Sequence, residues 1–138
     1  MSKIAILLNQ DAWVANWTWQ NWQLVPMPVN FAMGFIKEGN IIGSALFQWY
    51  NGNNIELNYY GPSTPTLGIA RALARVALVK FNVQRVTIRT ETVNRPIIRG
   101  MMKFGFRLEG SERHFYGKDR HAVRLVMFRE ELERIARI

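Results

Sequence analysis

The stretch Gly61 to Ala70 reads Gly-Pro-Ser-Thr-Pro-Thr-Leu-Gly-Ile-Ala and leads straight into a helical pattern. A small-residue turn entering a helix makes an anion site. The first N–H groups of a helix have no intrahelical partner, the helix dipole adds about half a positive charge there, and a phosphate can settle on that end. Gly68 and Ala70 carry little or no side chain, so a bulky pyrophosphate can come close to the backbone. The expected contacts are the backbone N–H groups of Gly68, Ile69, Ala70 and Arg71, helped by Leu67 and Thr66. The competing reading is an ordinary strand–turn–helix connection in which Gly68 only avoids a clash.

On the strand just before this turn, residues 53–60, alternation puts Asn54, Glu56, Asn58 and Tyr60 on one face and Ile55, Leu57 and Tyr59 on the other. Glu56 is thus a carboxylate close to the anion site, or else an exposed strand carboxylate. Asn94 stands at the mouth of a second helix, as an N-cap, a ligand contact or both. Arg95, Arg99 and Lys103 recur every four residues along that helix, either a grip for a phosphate or an acidic acceptor, or a solvated face. Arg113, Arg120 and Arg124 fall on a final hairpin and carry the same two readings. His114 and His121 have no metal-ligand spacing with each other or with Asp119, and no metal is expected. The chain has no cysteine, hence no disulfide, thiolate nucleophile or cysteine metal site.

These residues are positioned by alternating elements. Residues 3–8 read as a strand, and Asp11 as the cap of a short helix over 12–17, with Trp13 and Trp17 on one face. Trp13, Trp17, Trp19 and Trp22 read first as core aromatics, and otherwise as an acceptor channel, a peptide groove or the surface of a homodimer. Pro26 and Pro28 force an extended link. Strands 31–37 and 41–49 join around Glu38-Gly39-Asn40. Helix 66–81 has an apolar stripe of Ile69, Leu73, Val76, Ala77 and Val79. Strand 85–90, helix 94–104, strands 106–115 and 121–128, and a terminal helix 130–138 complete the order.

The 138 residues and 49% hydrophobic content fit one domain, 1–138. No apolar run reaches the length of a membrane span. The apolar run near the N-terminus is about five residues, too short for a secretory leader, and with the absence of cysteine this points to a cytoplasmic protein. The net charge is +8, with 13 arginines against 5 lysines. Such a balance attracts polyanions, whether nucleic acid or a small ligand with several phosphates.

The element order, together with Gly68-Ile69-Ala70, Asn94, Lys103-Phe104-Gly105-Phe106 and Glu109-Gly110, resembles the acetyl-CoA-binding core of the GCN5-related N-acetyltransferase (GNAT) superfamily. It is nearest the branch that includes ribosomal-protein N-terminal acetyltransferases, over residues 31–129. The resemblance implies an α/β (α+β) fold: a mixed, mostly antiparallel central sheet of about six to seven strands flanked by helices. The N-terminal helical part is shortened, since only about twenty residues separate the first two strands.

It further implies acetyl-CoA as co-substrate, with the acetyl group passing by direct attack to a primary amine: a protein N-terminus, a lysine or a small amine. The strand residues Leu57, Tyr59 and Tyr60 would pair with the pantetheine arm, Thr66 to Arg71 would hold the phosphates, Asn94 would contact the arm or the acceptor, and Arg99 the 3′-phosphate. Glu56 becomes the candidate general base. Met101 stands where the family often has its proton-donating tyrosine, so Tyr116, Tyr60 or His114 would have to substitute, unless the thiolate takes its proton from water; Tyr116 is the residue named for the role. Pro65 replaces the side chain that opens the family's turn. Pro65, Met101 and the short front half keep a second reading open, a GNAT fold retained for binding alone. A third reading, nucleic-acid binding, lacks a recognition-helix signature and an aromatic-and-basic interleave.

Overall fold

The computed structural model describes residues 3–61 and 64–138. Its seven strands form one mixed sheet in the order β1-β2-β3-β4-β5-β7-β6, accompanied by four α-helices. The expected sheet of six to seven strands is present, and so is the short front half. The chain gathers into two compact units, one of residues 3–49 and 57–61, the other of residues 50–56 and 64–138.

In the first unit, β1 (Ala5–Leu7), β2 (Phe31–Lys37) and β3 (Asn40–Gln48) pair antiparallel in sequence order. The β2–β3 turn holds Glu38 and Gly39 at φ of 52° and 80°, the double positive φ that suits the twist of a two-residue hairpin. β1 is three residues long, not six, and its own Ile6 and the following Leu8 stay exposed. Helix α1 (Asp11–Asn21) is longer than expected and turns Val14, Ala15 and Thr18 inward. Val14 and Ala15 cluster with Ala32 and Leu46. The buried Thr18 hydroxyl donates to the Val14 carbonyl at 2.8 Å and shares a hydrogen bond with the Ser44 hydroxyl at 2.5 Å, so neither polar group is stranded. Asp11 does not cap the helix. It lies in the first turn, and its carboxylate accepts the Ala32 N–H of β2 at 3.1 Å.

The tryptophans are not the core of this helix. The inward stripe at 14, 15 and 18 leaves Trp13 and Trp22 exposed, at 53% and 38%. Trp17 packs edge-on to Trp22 at 5.4 Å, and Trp19 alone of the four packs against the apolar cluster.

β4 (Asn54–Tyr60) contributes its second half to this unit. Gly43 on β3 is buried, and a β-carbon there would stand 2.6 Å from the Tyr60 carbonyl oxygen. Gly43→Ala is therefore expected to cost ~1–3 kcal/mol through backbone displacement, read as a lower midpoint in urea unfolding.

In the second unit, the first half of β4 pairs parallel with β5 (Arg85–Glu91), in the register Asn54↔Arg85, Ile55↔Val86 and Glu56↔Thr87, and the ladder ends there. β5 and β6 (Arg107–Gly117) each pair antiparallel with β7 (Arg120–Phe128). Helix α2 (Leu67–Arg75) continues into a π-helical turn, Val76–Lys80. Its buried residues are Ile69, Leu73, Ala74, Ala77 and Leu78, while Val79 is 76% exposed. The wider turn rotates the stripe, so an ideal-helix reading misplaces Val79. Helix α3 (Arg95–Phe104) ends at Gly105, whose φ of 114° suits a residue without a β-carbon. Helix α4 (Arg129–Ala136) closes the chain. Arg71 and Arg75 donate from Nε to the Ile135 and Ala136 carbonyls, each at 3.0 Å, and so satisfy its open C-terminal end. Among the described residues no helix is long and apolar enough to cross a membrane.

Candidate active site

The turn read above as an anion site leads into a capped helix. Thr66 is the N-cap of α2: its Oγ1 accepts the Ile69 N–H at 3.3 Å, and its carbonyl accepts the Ala70 N–H at 2.9 Å. Ile69 and Ala70 are thus spent inside the helix, and the Arg71 guanidinium is held on α4. Of the backbone N–H groups named above, those of Ile69 and Ala70 are engaged by the Thr66 cap, while those of Leu67 and Gly68 lie ahead of it. Both residues are exposed. Among the described residues a β-carbon at Gly68 would meet nothing nearer than Thr66 Oγ1 at 3.8 Å. The fold does not need a glycine there to avoid a clash, and the space over it opens to solvent. Pro62 and Ser63 of the turn lie outside the described residues, and Pro65 is buried. Thr64 sits against Gly100 of α3, where any β-carbon would run into the threonine side chain. That packing accounts for a glycine in mid-helix, a feature with no local signal in the sequence.

Glu56 is not an exposed strand carboxylate. It is 8% exposed, and its Oε1 lies 2.6 Å from Arg89 Nη1. Arg89 Nε reaches Glu112 Oε1 at 2.7 Å, and its guanidinium lies 4.4 Å from the centre of the Phe115 ring. Burial works to lower the Arg89 pKa. The hydrogen bond to Glu112 and the charges of Glu56, Glu112 and Tyr116 outweigh it and hold the guanidinium above the usual arginine value. The charge chain continues from Glu112 to Arg124 at 3.7 Å, from Arg124 to Glu109 at 3.5 Å, and from Glu109 to Arg85.

Tyr116 packs edge-on to Phe115 at 5.0 Å and lies close enough for its charge to act on Arg89. Glu56 and Glu112, far apart in sequence, therefore meet at Arg89. The sequence reading missed Arg89. Its signal was the alternation that aligns Arg85, Thr87 and Arg89 on one face, but only the register Glu56↔Thr87 brings that face to Glu56.

Asn94 occupies the N-cap position of α3, yet its side chain caps nothing: Nδ2 donates to Thr90 Oγ1 at 3.2 Å. Arg99 lies exposed on α3 with Arg95 and Lys103. Met101 is buried in the core.

Within the first unit, Leu57 is buried, Tyr59 packs on Phe35 at 5.8 Å, and Tyr60 on Trp22 at 5.6 Å. Burial pushes the Tyr59 phenol above its usual pKa. The aromatic rings of Tyr59 and Tyr60 are engaged in packing, so the backbone is what these residues offer a ligand.

The β6–β7 hairpin does bring His114, Asp119 and His121 together, with ligand atoms within 4.8 Å of one another. The expectation that they stand apart is corrected, because pairing across the hairpin overrides their spacing in sequence. Their Nδ1 atoms have partners within the hairpin: His121 Nδ1 accepts the His114 N–H and His114 Nδ1 accepts the Asp119 N–H, both at 3.0 Å.

The sheet order, the parallel β4–β5 ladder that stops at Glu56 and the helix that follows β4 define the fold of the GNAT N-acetyltransferases. Solved structures share it. A GCN5-related N-acetyltransferase from Brucella melitensis superposes with a TM-score of 0.64 at 19% identity, over 78% of this chain and 54% of that one. A spermidine N-acetyltransferase chimera from Vibrio cholerae gives 0.66 at 12% identity, over 75% and 68%. A GNAT-family acetyltransferase from Bacillus anthracis gives 0.60 at 16%, over 72% and 66%. The chain thus spans about half the length of the first of these and about two thirds of the others. Neither a family model nor a curated protein matches the sequence.

Proposed function

We propose that this chain is an acyl-CoA-dependent N-acyltransferase that moves an acetyl group from acetyl-CoA to a primary amine, whether a protein N-terminus, a lysine or a small amine, by direct attack. The observation that carries this reading is Gly68: a glycine the fold does not require, exposed in the first turn of a capped helix, within a GNAT fold. The Leu67 and Gly68 N–H groups and the α2 dipole receive the phosphates. The backbone of Leu57 to Tyr60, beyond the end of the β4–β5 ladder, serves the amide groups of the pantetheine arm.

In the transfer, the amine nitrogen bonds to the thioester carbonyl carbon, the carbon–sulfur bond breaks, and the amine's proton passes in net to the CoA sulfur. Glu56 accepts that proton through water, with Arg89 fixing the orientation of its carboxylate. Tyr116 supplies the proton to the leaving sulfur, and Asn94, not spent on capping, is available to the arm or the acceptor.

The test pairs calorimetric titration of acetyl-CoA with turnover on amine acceptors. Glu56→Gln is expected to lower turnover ~100-fold or more while acetyl-CoA affinity is kept. No detectable acetyl-CoA binding at millimolar ligand would overturn the reading. The binding-protein alternative is favoured by two specific features: the ion pair that already holds Glu56, and Met101 buried where a tyrosine acid would stand. It predicts acetyl-CoA binding without turnover, and no effect of Glu56→Gln on that binding.

A further inference from the structure

The largest block of uncompensated charge lies on and just after α3. Residues 92–108 contain Arg95, Arg99, Lys103 and Arg107 and no carboxylate, half of the net +8 of the whole chain. Arg95, Arg99 and Lys103 are all exposed. On a helix that rises ~1.5 Å per residue they form a row spaced about 6 Å apart.

Among the described residues none of the three has an ion-pair partner. By contrast, Arg85, Arg89, Arg120, Arg124, Arg129 and Arg134 each meet a carboxylate, and Arg71 and Arg75 are used on carbonyls of α4. The row works against the helix that carries it. Like charges four residues apart repel. Arg95 stands in the first turn, at the positive end of the dipole, with no acidic residue there to offset it. The fold gains nothing from this arrangement, whereas a polyanion laid along the helix removes both penalties.

We propose that this face of α3 docks the phosphate backbone of a nucleic-acid strand. A regular row of equal cations suits a polymer that repeats one phosphate per nucleotide. The few phosphates of a CoA do not need such a row, and in the reading above they are met at α2. Arginine and lysine contacts to phosphate oxygens position a strand without reading it. No aromatic residue stands between Arg95 and Lys103 to stack on bases, so binding is indifferent to sequence and steeply dependent on salt. The earlier objection, a missing basic-and-aromatic interleave, bears on base recognition and not on this mode.

The experiment is fluorescence anisotropy of a labelled RNA of about twenty nucleotides across a salt series, with the full chain and the triple variant Arg95→Gln, Arg99→Gln, Lys103→Gln. The wild-type chain is expected to bind in the micromolar range, and the variant to show a log–log salt slope shallower by about 2, since each single-strand phosphate contact contributes ~0.7. Replacing Arg95 and Arg99 by lysine restores the slope, and replacing Arg113 and Arg137 by glutamine leaves it unchanged. An unaltered circular dichroism spectrum certifies the fold of each variant. Absence of RNA binding at low salt, an equal slope in the variant, or equally effective competition by oligoglutamate each overturns the proposal. So does a variant that loses acetyl-CoA in calorimetry and keeps RNA, which would assign the row to the co-substrate.

Discussion

Replacing Gly68 by leucine is expected to weaken acetyl-CoA binding at least a hundredfold, about 2.7 kcal/mol, while the protein stays folded. The two readouts move in opposite directions because the fold and the ligand ask different things of this residue. Among the described residues a β-carbon at Gly68 would meet only Thr66 Oγ1, at ordinary contact distance, so a small side chain there has no clash to relieve. Alanine, which loses less backbone freedom than glycine in a helix, is expected to stabilise the chain by ~0.5–1 kcal/mol. Leucine fills the open approach to the Leu67 and Gly68 N–H groups. Calorimetric titration and urea unfolding on the same preparations check both halves. Undiminished acetyl-CoA binding by the leucine variant would remove the observation on which the transferase reading rests. A destabilised alanine variant would show that the glycine serves the fold after all.

Arg89→Met is expected to cost ~3 kcal/mol or more of stability, because a buried carboxylate loses the cation that compensates its desolvation. The Glu56 side chain is 10% exposed, and Arg89 bridges it to Glu112 while covering the Phe115 ring. Methionine keeps much of the volume and removes the charge. The double change Arg89→Met, Glu56→Leu is expected to recover most of the loss, since a well-packed apolar pair often matches a buried ion pair. A double-mutant cycle in urea unfolding measures the coupling, and additive losses would mean that the two residues do not act as a pair. Lysine at position 89 keeps the charge but cannot reach Glu56 and Glu112 together with a fixed fork. Under the proposed transfer it is therefore expected to lower turnover more than it lowers acetyl-CoA affinity.

Much of the architecture was legible in local pattern. The two-residue turn at Glu38 and Gly39, the strand alternation around Glu56, the helix entry at Thr66 and the glycine stop at Gly105 each rest on interactions within a few residues, so sequence alone determined them and, through their order, the resemblance to the GNAT fold. Other features depend on partners distant in sequence. The length of β1 depends on how far it pairs with β2. Asp11 serves a β2 N–H because folding brings Ala32 to it, and Trp13 and Trp22 stay exposed because α1 turns a different stripe inward.

The same division runs through the candidate site. That Gly68 would stand in the first turn of a helix was visible, because the first turn of a helix is local. Which N–H groups remain for a ligand depended on the rotamer of Thr66. That Glu56 would be buried, that Arg89 would hold it, and that Glu112 would join them from β6 depended on the β4–β5 register and on the β5–β7–β6 order, which bring residues 56, 89 and 112 together. Charge was visible as a total of +8, but its meaning was not. Only tertiary pairing separates arginines neutralised by carboxylates from the row on α3 that is not, because an ion pair is a contact between elements and composition carries no record of contacts.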